Sequence, residues 1–126
     1  MRFTLCLAFI VAMAAPAVAD DAEYRKCSEK SDGTNVAYNA CGDALLKRDD
    51  DRLNAAWKTA LAAMPGDDSH KALVEEQRAW NAYKEKSCMI YATSDFGREG
   101  NVINYPTCRA DVIEARTKYL KALKDN

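Results

Sequence analysis

The chain has 126 residues, 48% of them hydrophobic, and its 18 basic and 19 acidic residues give a formal net charge of −1. This length is enough for one domain, and the nearly balanced charge lacks the basic surface typical of nucleic-acid-binding proteins and of polybasic membrane-binding segments. We therefore expect no nucleic-acid partner.

The N-terminus has the pattern of a secretory signal peptide. Arg2 supplies a positive charge, residues 5–11 form an apolar run, and Ala17-Val18-Ala19 is a small-x-small cleavage site. The run is shorter than the roughly 20 apolar residues of a membrane span, and no second run of that length follows. We expect residues 1–19 to be removed and residues 20–126 to form one exported domain, periplasmic or secreted, without a membrane span.

The cysteine pattern predicts two disulfides. Without Cys6, which lies in the signal peptide, the cysteines are Cys27, Cys41, Cys88 and Cys108. An even number in a short exported chain is typical of a disulfide framework, and four cysteines permit three pairings. Pairs Cys27–Cys41 and Cys88–Cys108 each straddle a break in the helical pattern, which favours this pairing. No CxxC pair occurs and His70 is the only histidine, so we expect no metal site.

Apolar residues recur at intervals of three, four and seven, which predicts an all-α fold: a small bundle of three longer helices plus a short N-terminal helix. The predicted helices span residues 20–30, 36–64, 69–92 and 102 or 106 to 124. The predicted breaks are a turn at residues 31–35, Pro65-Gly66 and a loop with two glycines at residues 93–101. Asp67, Asp68 and Ser69 are candidate N-caps of the third helix.

Each predicted helix has an apolar face that we expect to be buried. On the long second helix it contains Cys41, Leu45, Leu46, Leu53, Trp57, Leu61 and Met64. On the third and last helices it contains Leu73, Trp80, Tyr83, Ile90 and Tyr91, and Cys108, Val112, Ala115, Tyr119 and Leu123.

The sequence indicates no catalytic centre and no cofactor. His70 would have to serve any Ser-His-Asp arrangement, but a lone surface histidine is the simpler interpretation. Glu75 and Glu76 are adjacent on a helix and point in different directions, so they do not form the carboxylate pair of a glycosidase. Residues 49–51 are all aspartate but lack the alternating spacing and closing glutamate of a calcium loop. A hydrolase is therefore the least favoured function.

Several polar residues share or adjoin the apolar faces of the three longer helices. They are Asp50, Asn54, Gln77, Lys84 and Arg116. Buried amides and charges need partners, so we predict a polar cluster between these helices, with Asp50 meeting Arg116 or Lys84. The alternative is that these side chains lie at the edges of the apolar faces and reach outward to solvent.

The order and spacing of these residues resemble the family of small secreted proteins named for the lysozyme inhibitor LprI. The central family signature corresponds here to Gln77-Arg78-Ala79-Trp80, Tyr83, Lys84 and Cys88, the preceding helix to Asp50, Leu53-Asn54 and Trp57, and the last element to Cys108 and Arg116. Cys27 and Cys41 match the first two family cysteines. Two departures are Glu99-Gly100-Asn101, where the family often has Gly-Gly-Ser, and Ile113, where a threonine is usual.

The resemblance implies an all-helical, non-catalytic envelope protein that inhibits lysozyme and so protects peptidoglycan. An inhibitor must block a cleft whose working groups are carboxylates, and a disulfide-held loop that presents a cation or an amide suits this task. We therefore predict Arg98, Asn101 and Tyr105, in residues 93–105, as partner-binding residues. The acidic residues 49–51 could attract a basic lysozyme. The alternative function is a structural or interaction module of the envelope that binds another protein.

Overall fold

The computed structural model describes residues 21–123 and residue 125. The predicted signal peptide and residue 20 lie outside the described residues. Within this described part the chain forms helices and turns and contains no strand, so the predicted all-α fold is confirmed. The main helices are α1 (Ala22–Glu29), α2 (Asn35–Ala62), α3 (Asp67–Lys86) and α4 (Tyr105–Leu123).

The favoured disulfide pairing is confirmed. Cys27–Cys41 joins α1 to α2, and Cys88–Cys108 joins the chain just after α3 to α4, with Cα atoms 5.7 and 5.9 Å apart. Each bond closes one break in the helical pattern. The short helix α1 and the chain that follows α3 are therefore both covalently held to long helices.

The core lies mainly between α2 and α4. Gly42 allows their close approach, because a Cβ at this position would lie 3.0 Å from Cβ of Pro106 on α4. The buried core cluster contains Leu53, Ala56, Ala60, Leu73, Ile113 and Leu120. Trp57 and Trp80 are partly buried against this cluster.

The predicted buried face of the last helix is wrong. Ala115 and Tyr119 are exposed, and the other members of that predicted face are only partly buried. The buried face of α4 instead contains Pro106, Arg109, Ala110, Ile113, Arg116, Thr117 and Leu120. Two arginines and a threonine interrupt its apolar pattern, so hydrophobicity alone favoured the neighbouring face. Each of these three side chains forms at least one hydrogen bond inside the protein, although Arg109 Nε and Arg116 Nη2 form none within the described residues. The Thr117 hydroxyl donates to the Ile113 carbonyl at 2.9 Å.

The third helix ends earlier than predicted, at Lys86 rather than Ala92. Cys88 adopts a left-handed conformation with φ of 66°, which stops the helix and precedes a short 3-10 turn, Met89–Ala92. Its predicted buried face is also partly wrong, because Tyr83 and Ile90 are 60% and 61% exposed. These two side chains lie toward the C-terminal end of α3 and beyond it.

The beginning of α3 also differs from the expectation. Gly66 is the N-cap; its N–H donates to the Ser69 hydroxyl at 3.3 Å, and that hydroxyl donates to the Gly66 carbonyl at 2.8 Å. Asp67 and Asp68 lie within the first helical turn, where their charges still favour the positive end of the helix.

The segment between α3 and α4, residues 87–104, is called the connecting segment below. Its predicted loop is largely helical, as 3-10 turns Met89–Ala92 and Ser94–Phe96, one α-helical turn Gly97–Glu99 and a π-helical turn Gly100–Asn104. Pro106 has no N–H for the carbonyl of Val102, which accounts for the wider π-helical turn directly before α4. A Cβ on Gly100 would lie 2.6 Å from the Tyr91 carbonyl oxygen, so this buried position requires glycine.

No helix in residues 21–123 is sufficiently long and apolar to cross a membrane.

Candidate functional site

The predicted polar cluster forms as two separate contacts. Lys84 Nζ lies 3.5 Å from Asp50 Oδ1, so Asp50 meets Lys84 and not Arg116. Arg116 donates from Nε to Gln77 Oε1 at 2.9 Å and from Nη1 to Glu76. Asn54 is exposed, so its predicted place in the cluster is wrong. For Asn54 the alternative holds, in which the side chain lies at the edge of the apolar face and reaches outward to solvent.

Arg116 holds α3 against α4. Its side chain is 7% exposed, and its guanidinium carbon lies 4.8 Å from the centroid of the Tyr119 ring and 5.9 Å from that of Trp80. The Tyr119 hydroxyl also donates to Glu76 at 3.1 Å. The family motif at residues 77–80 therefore has a structural role. Gln77 and Trp80 contact Arg116, whereas Arg78 and Ala79 are exposed.

Replacing Arg116 with lysine should lower the free energy of unfolding by about 2 kcal/mol. Lysine keeps the charge but lacks the planar fork that bonds two side chains and stacks on two rings. Arg78→Lys is the matched control, since Arg78 is exposed on α3, and we expect a change of less than about 0.5 kcal/mol there. Equal urea-denaturation midpoints for the two variants would contradict this role of Arg116.

Sequence reasoning missed a second buried arginine, Arg109. Its Nη2 donates to the carbonyls of Glu85 and Ser87, at 3.2 and 3.4 Å, and to the Tyr105 hydroxyl at 2.9 Å. It thereby satisfies carbonyl groups at the C-terminal end of α3, which a helix leaves without internal partners. The spacing of residues could have indicated that Arg109 is buried, because Arg109 precedes Ile113 by four residues and shares its helical face.

The three predicted partner-binding residues occupy different environments. Arg98 donates to the Asn35 side chain and the Gly33 carbonyl, and its guanidinium carbon lies 5.5 Å from the centroid of the Tyr38 ring. Arg98 thus fastens the connecting segment to the beginning of α2. The Tyr105 hydroxyl accepts the hydrogen bond from Arg109, and the Asn101 side chain is exposed.

Helices α1, α2 and α4 border a cleft of about 1070 Å³ that the sequence did not predict. Its apolar walls come from Tyr24 of α1, Tyr38 and Leu45 of α2, Ile103 of the connecting segment, and Ala110 of α4. Five carboxylates and two arginines also line it, so the cleft is acidic. This volume is at the upper end of the range for small-molecule sites.

Two aspartates of the cleft have raised pKa values. Burial raises the pKa of Asp49, which is 5% exposed; Asp21 and Glu114 add to the rise, and Arg52 opposes it. Burial likewise raises the pKa of Asp111, with Glu114 adding and Lys118 opposing. The walls of the cleft therefore hold negative charge that water does not fully solvate. Among residues 21–123 no group of three His, Cys, Asp or Glu side chains is placed to hold a metal ion.

Asp49→Asn should raise the melting temperature at pH 7 by a few degrees. The folded-state pKa of Asp49 is raised, so the folded protein favours the protonated carboxyl group. This preference stabilises the fold below the ordinary pKa of aspartate, and the stabilisation is lost as the pH rises through the folded-state pKa. Asparagine removes the buried charge and keeps an oxygen for Arg52. The advantage over the wild type should disappear in acid. Asp43→Asn, on the exposed side of α2, is the control and should leave the melting temperature at pH 7 within about a degree of the wild type.

The described residues thus form a disulfide-linked helical domain with a charged, concave cleft. The family model described as "Lysozyme inhibitor LprI" matches residues 27–120, and the chain belongs to this family. The chain is also similar to an uncharacterized protein of Rhizobium meliloti (strain 1021), with 26% identity over 134 residues that cover 95% of this chain and 93% of the relative. No solved structure matches the chain significantly.

Proposed function

We propose that this protein is an exported, non-catalytic inhibitor of lysozyme, periplasmic or secreted, that protects peptidoglycan from a host muramidase. The family match over residues 27–120 carries the proposal, because it includes both disulfides and most of the three long helices. Two disulfides in so short a chain agree with an oxidising, extracytoplasmic location. The proposal takes residues 1–19 as the export signal.

The proposed contact surface is the connecting segment together with the first residue of α4. Lysozyme cleaves its substrate with two carboxylates that flank the scissile bond, and an inhibitor blocks it by filling that cleft with amide or cationic groups. Asn101 and Arg98 supply an amide and a cation, and Tyr105 supplies an aromatic ring. These three residues are the proposed partner-binding set.

The connecting segment is held in place before any partner binds. The Cys88–Cys108 disulfide closes it at one end, and the bonds of Arg98 to Asn35 and Gly33 fasten its middle to α2. A segment that is already ordered loses less conformational entropy on binding, which favours affinity. In this arrangement Arg98 acts first by positioning the segment, and its exposed edge can also face the partner.

Acidic residues on α2 support a weaker, long-range electrostatic attraction between this protein and lysozyme. Asp50 and Asp51 have side chains 43% and 64% exposed, whereas Asp49 is buried, so only the first two can attract a basic lysozyme through solvent. Such charges raise the association rate and make it sensitive to salt.

The second candidate function is a non-catalytic envelope module that binds a different protein. Three large apolar side chains near the Cys88–Cys108 disulfide favour it, because Tyr83, Met89 and Ile90 are largely exposed. Exposed apolar groups of this kind are common at protein interfaces. If this function is correct, the protein should capture a periplasmic protein and leave lysozyme unbound.

A competition experiment tests the proposed mode of inhibition. We expect immobilised protein to bind lysozyme, and an N-acetylglucosamine oligosaccharide that fills the lysozyme cleft to displace it. Asn101→Ala should weaken binding about three- to tenfold through the loss of an interfacial hydrogen bond. Asn81→Ala replaces another exposed asparagine, on α3; it is the matched control and should leave binding unchanged. A complex that the oligosaccharide does not disturb would contradict blockage of the cleft.

A further inference from the structure

We propose that the cleft between α1, α2 and α4 is a binding site for an organic cation, a guanidinium or ammonium group carried on an apolar stem. Apart from Ile103, the residues that line the site lie outside the contact surface of the proposed function, so the inference goes beyond that function. The shape of the cleft and its charge support this assignment.

The shape of the cleft suits an elongated organic group. Its volume of about 1070 Å³ exceeds what a single ion or water molecule requires. The rings of Tyr24 and Tyr38 and the side chains of Leu45 and Ile103 line it, so an apolar stem would exchange water for hydrocarbon and aromatic contacts. The Cys27–Cys41 disulfide ties α1 to α2, which keeps these two walls together without a ligand.

The charge of the cleft selects a cation. Its five carboxylates outnumber its two arginines, and three of the carboxylates already have internal partners. Asp21 pairs with Arg48 at 2.9 Å, Glu114 pairs with Lys118 at 2.8 Å, and Asp49 pairs with Arg52.

Two carboxylates of the cleft remain uncommitted. Asp111 and Glu29 form no hydrogen bond or ion pair with any residue in the described ranges, so they are available to a ligand. A ligand cation near Asp111 would also lower the cost of holding that partly desolvated charge beside Glu114.

Two hydroxyl groups belong to the wall of the cleft. Tyr24 Oη and Ser28 Oγ are inaccessible to solvent and interact with each other: burial raises the pKa of Tyr24, and the hydroxyl of Ser28 opposes that rise. Both residues line the cleft, on the side formed by α1. Because these two oxygens are inaccessible, the polar contacts of a bound cation are with the carboxylates of the cleft.

The probe for this site is n-butylguanidinium, and n-butylurea is its neutral counterpart of nearly the same shape. We expect butylguanidinium, titrated into the purified protein, to shift the amide NMR signals of Tyr24, Ser28 and Ala110 in a saturable manner, and butylurea to shift them far less. Asp111→Asn should weaken butylguanidinium binding about three- to fivefold, as expected for a partly exposed charge pair. Asp43→Asn removes the same charge outside the cleft and should leave the affinity unchanged.

Three results would overturn the proposal. They are the absence of shifts at the cleft, equal shifts with butylurea, and equal weakening by Asp43→Asn and Asp111→Asn. None of these measurements involves lysozyme, so their failure is distinct from failure of the proposed function.

A second titration identifies the source of the cation. Butylguanidinium added to a complex of this protein with lysozyme should displace it if the cleft receives an arginine or lysine side chain of that partner. If butylguanidinium binds without displacing lysozyme, the cleft takes a free organic cation. Both results support the site.

Discussion

Replacing Leu120 with alanine is expected to lower the free energy of unfolding by about 3 kcal/mol. The Leu120 side chain is 0% exposed on α4 and belongs to the core cluster with Ile113 and Leu53. Its truncation loses buried apolar surface and leaves a cavity that rigid helices refill poorly. The melting temperature should fall by more than about 10 °C, and urea denaturation gives the free energy directly.

Leu123→Ala is the matched control for this prediction. Leu123 belongs to the face of the last helix that the hydrophobic pattern indicated, but it is only partly buried. The same substitution there should cost clearly less. If Leu123→Ala destabilises the protein as much as Leu120→Ala does, the orientation of α4 described above is wrong.

Removal of the Cys88–Cys108 disulfide has the second large expected effect. The double variant Cys88→Ala/Cys108→Ala should lose about 3 kcal/mol of stability, because the bond closes a loop between residues 20 positions apart. Inhibition of lysozyme should weaken as well, even at temperatures where the variant stays folded, because the connecting segment is no longer held at its end.

The Cys27–Cys41 disulfide provides the comparison. It joins residues 14 positions apart, so Cys27→Ala/Cys41→Ala should lose a similar amount of stability, about 3 kcal/mol. It does not close the connecting segment itself, although Gly33 and Asn35, which hold Arg98, lie between its cysteines, so inhibition should weaken less than in Cys88→Ala/Cys108→Ala wherever this variant is folded. Equal loss of inhibition in both folded variants would contradict the proposed role of the connecting segment.

Local patterns were sufficient to predict the fold class. Pro65-Gly66 correctly separated two helices, and the turn at residues 31–35 allowed Cys27 to reach Cys41. These features depend on the turn-forming preferences of residues that are neighbours in the sequence. The end of α3 was missed because Cys88, which is bonded to Cys108, takes a left-handed conformation that a non-glycine residue rarely adopts.

The candidate sites were harder to predict because they depend on long-range partners. Arg116 was correctly placed in a polar contact, but Glu76 and Gln77 could not be distinguished from Asp50 as its partner before the rotation of α4 was known. Arg109 was missed, since its partners at the end of α3 lie more than 20 residues away in the sequence. The cleft lies among three helices, and no single stretch of sequence encodes it.

Inhibition of lysozyme is the central claim, and a cell-wall lysis assay tests it most directly. Purified protein, titrated into lysozyme acting on peptidoglycan, should abolish lysis with an endpoint near one molecule per lysozyme, and reduced, heat-denatured protein should have no effect. Undiminished lysis at a large molar excess of the folded, disulfide-bonded protein would contradict the claim.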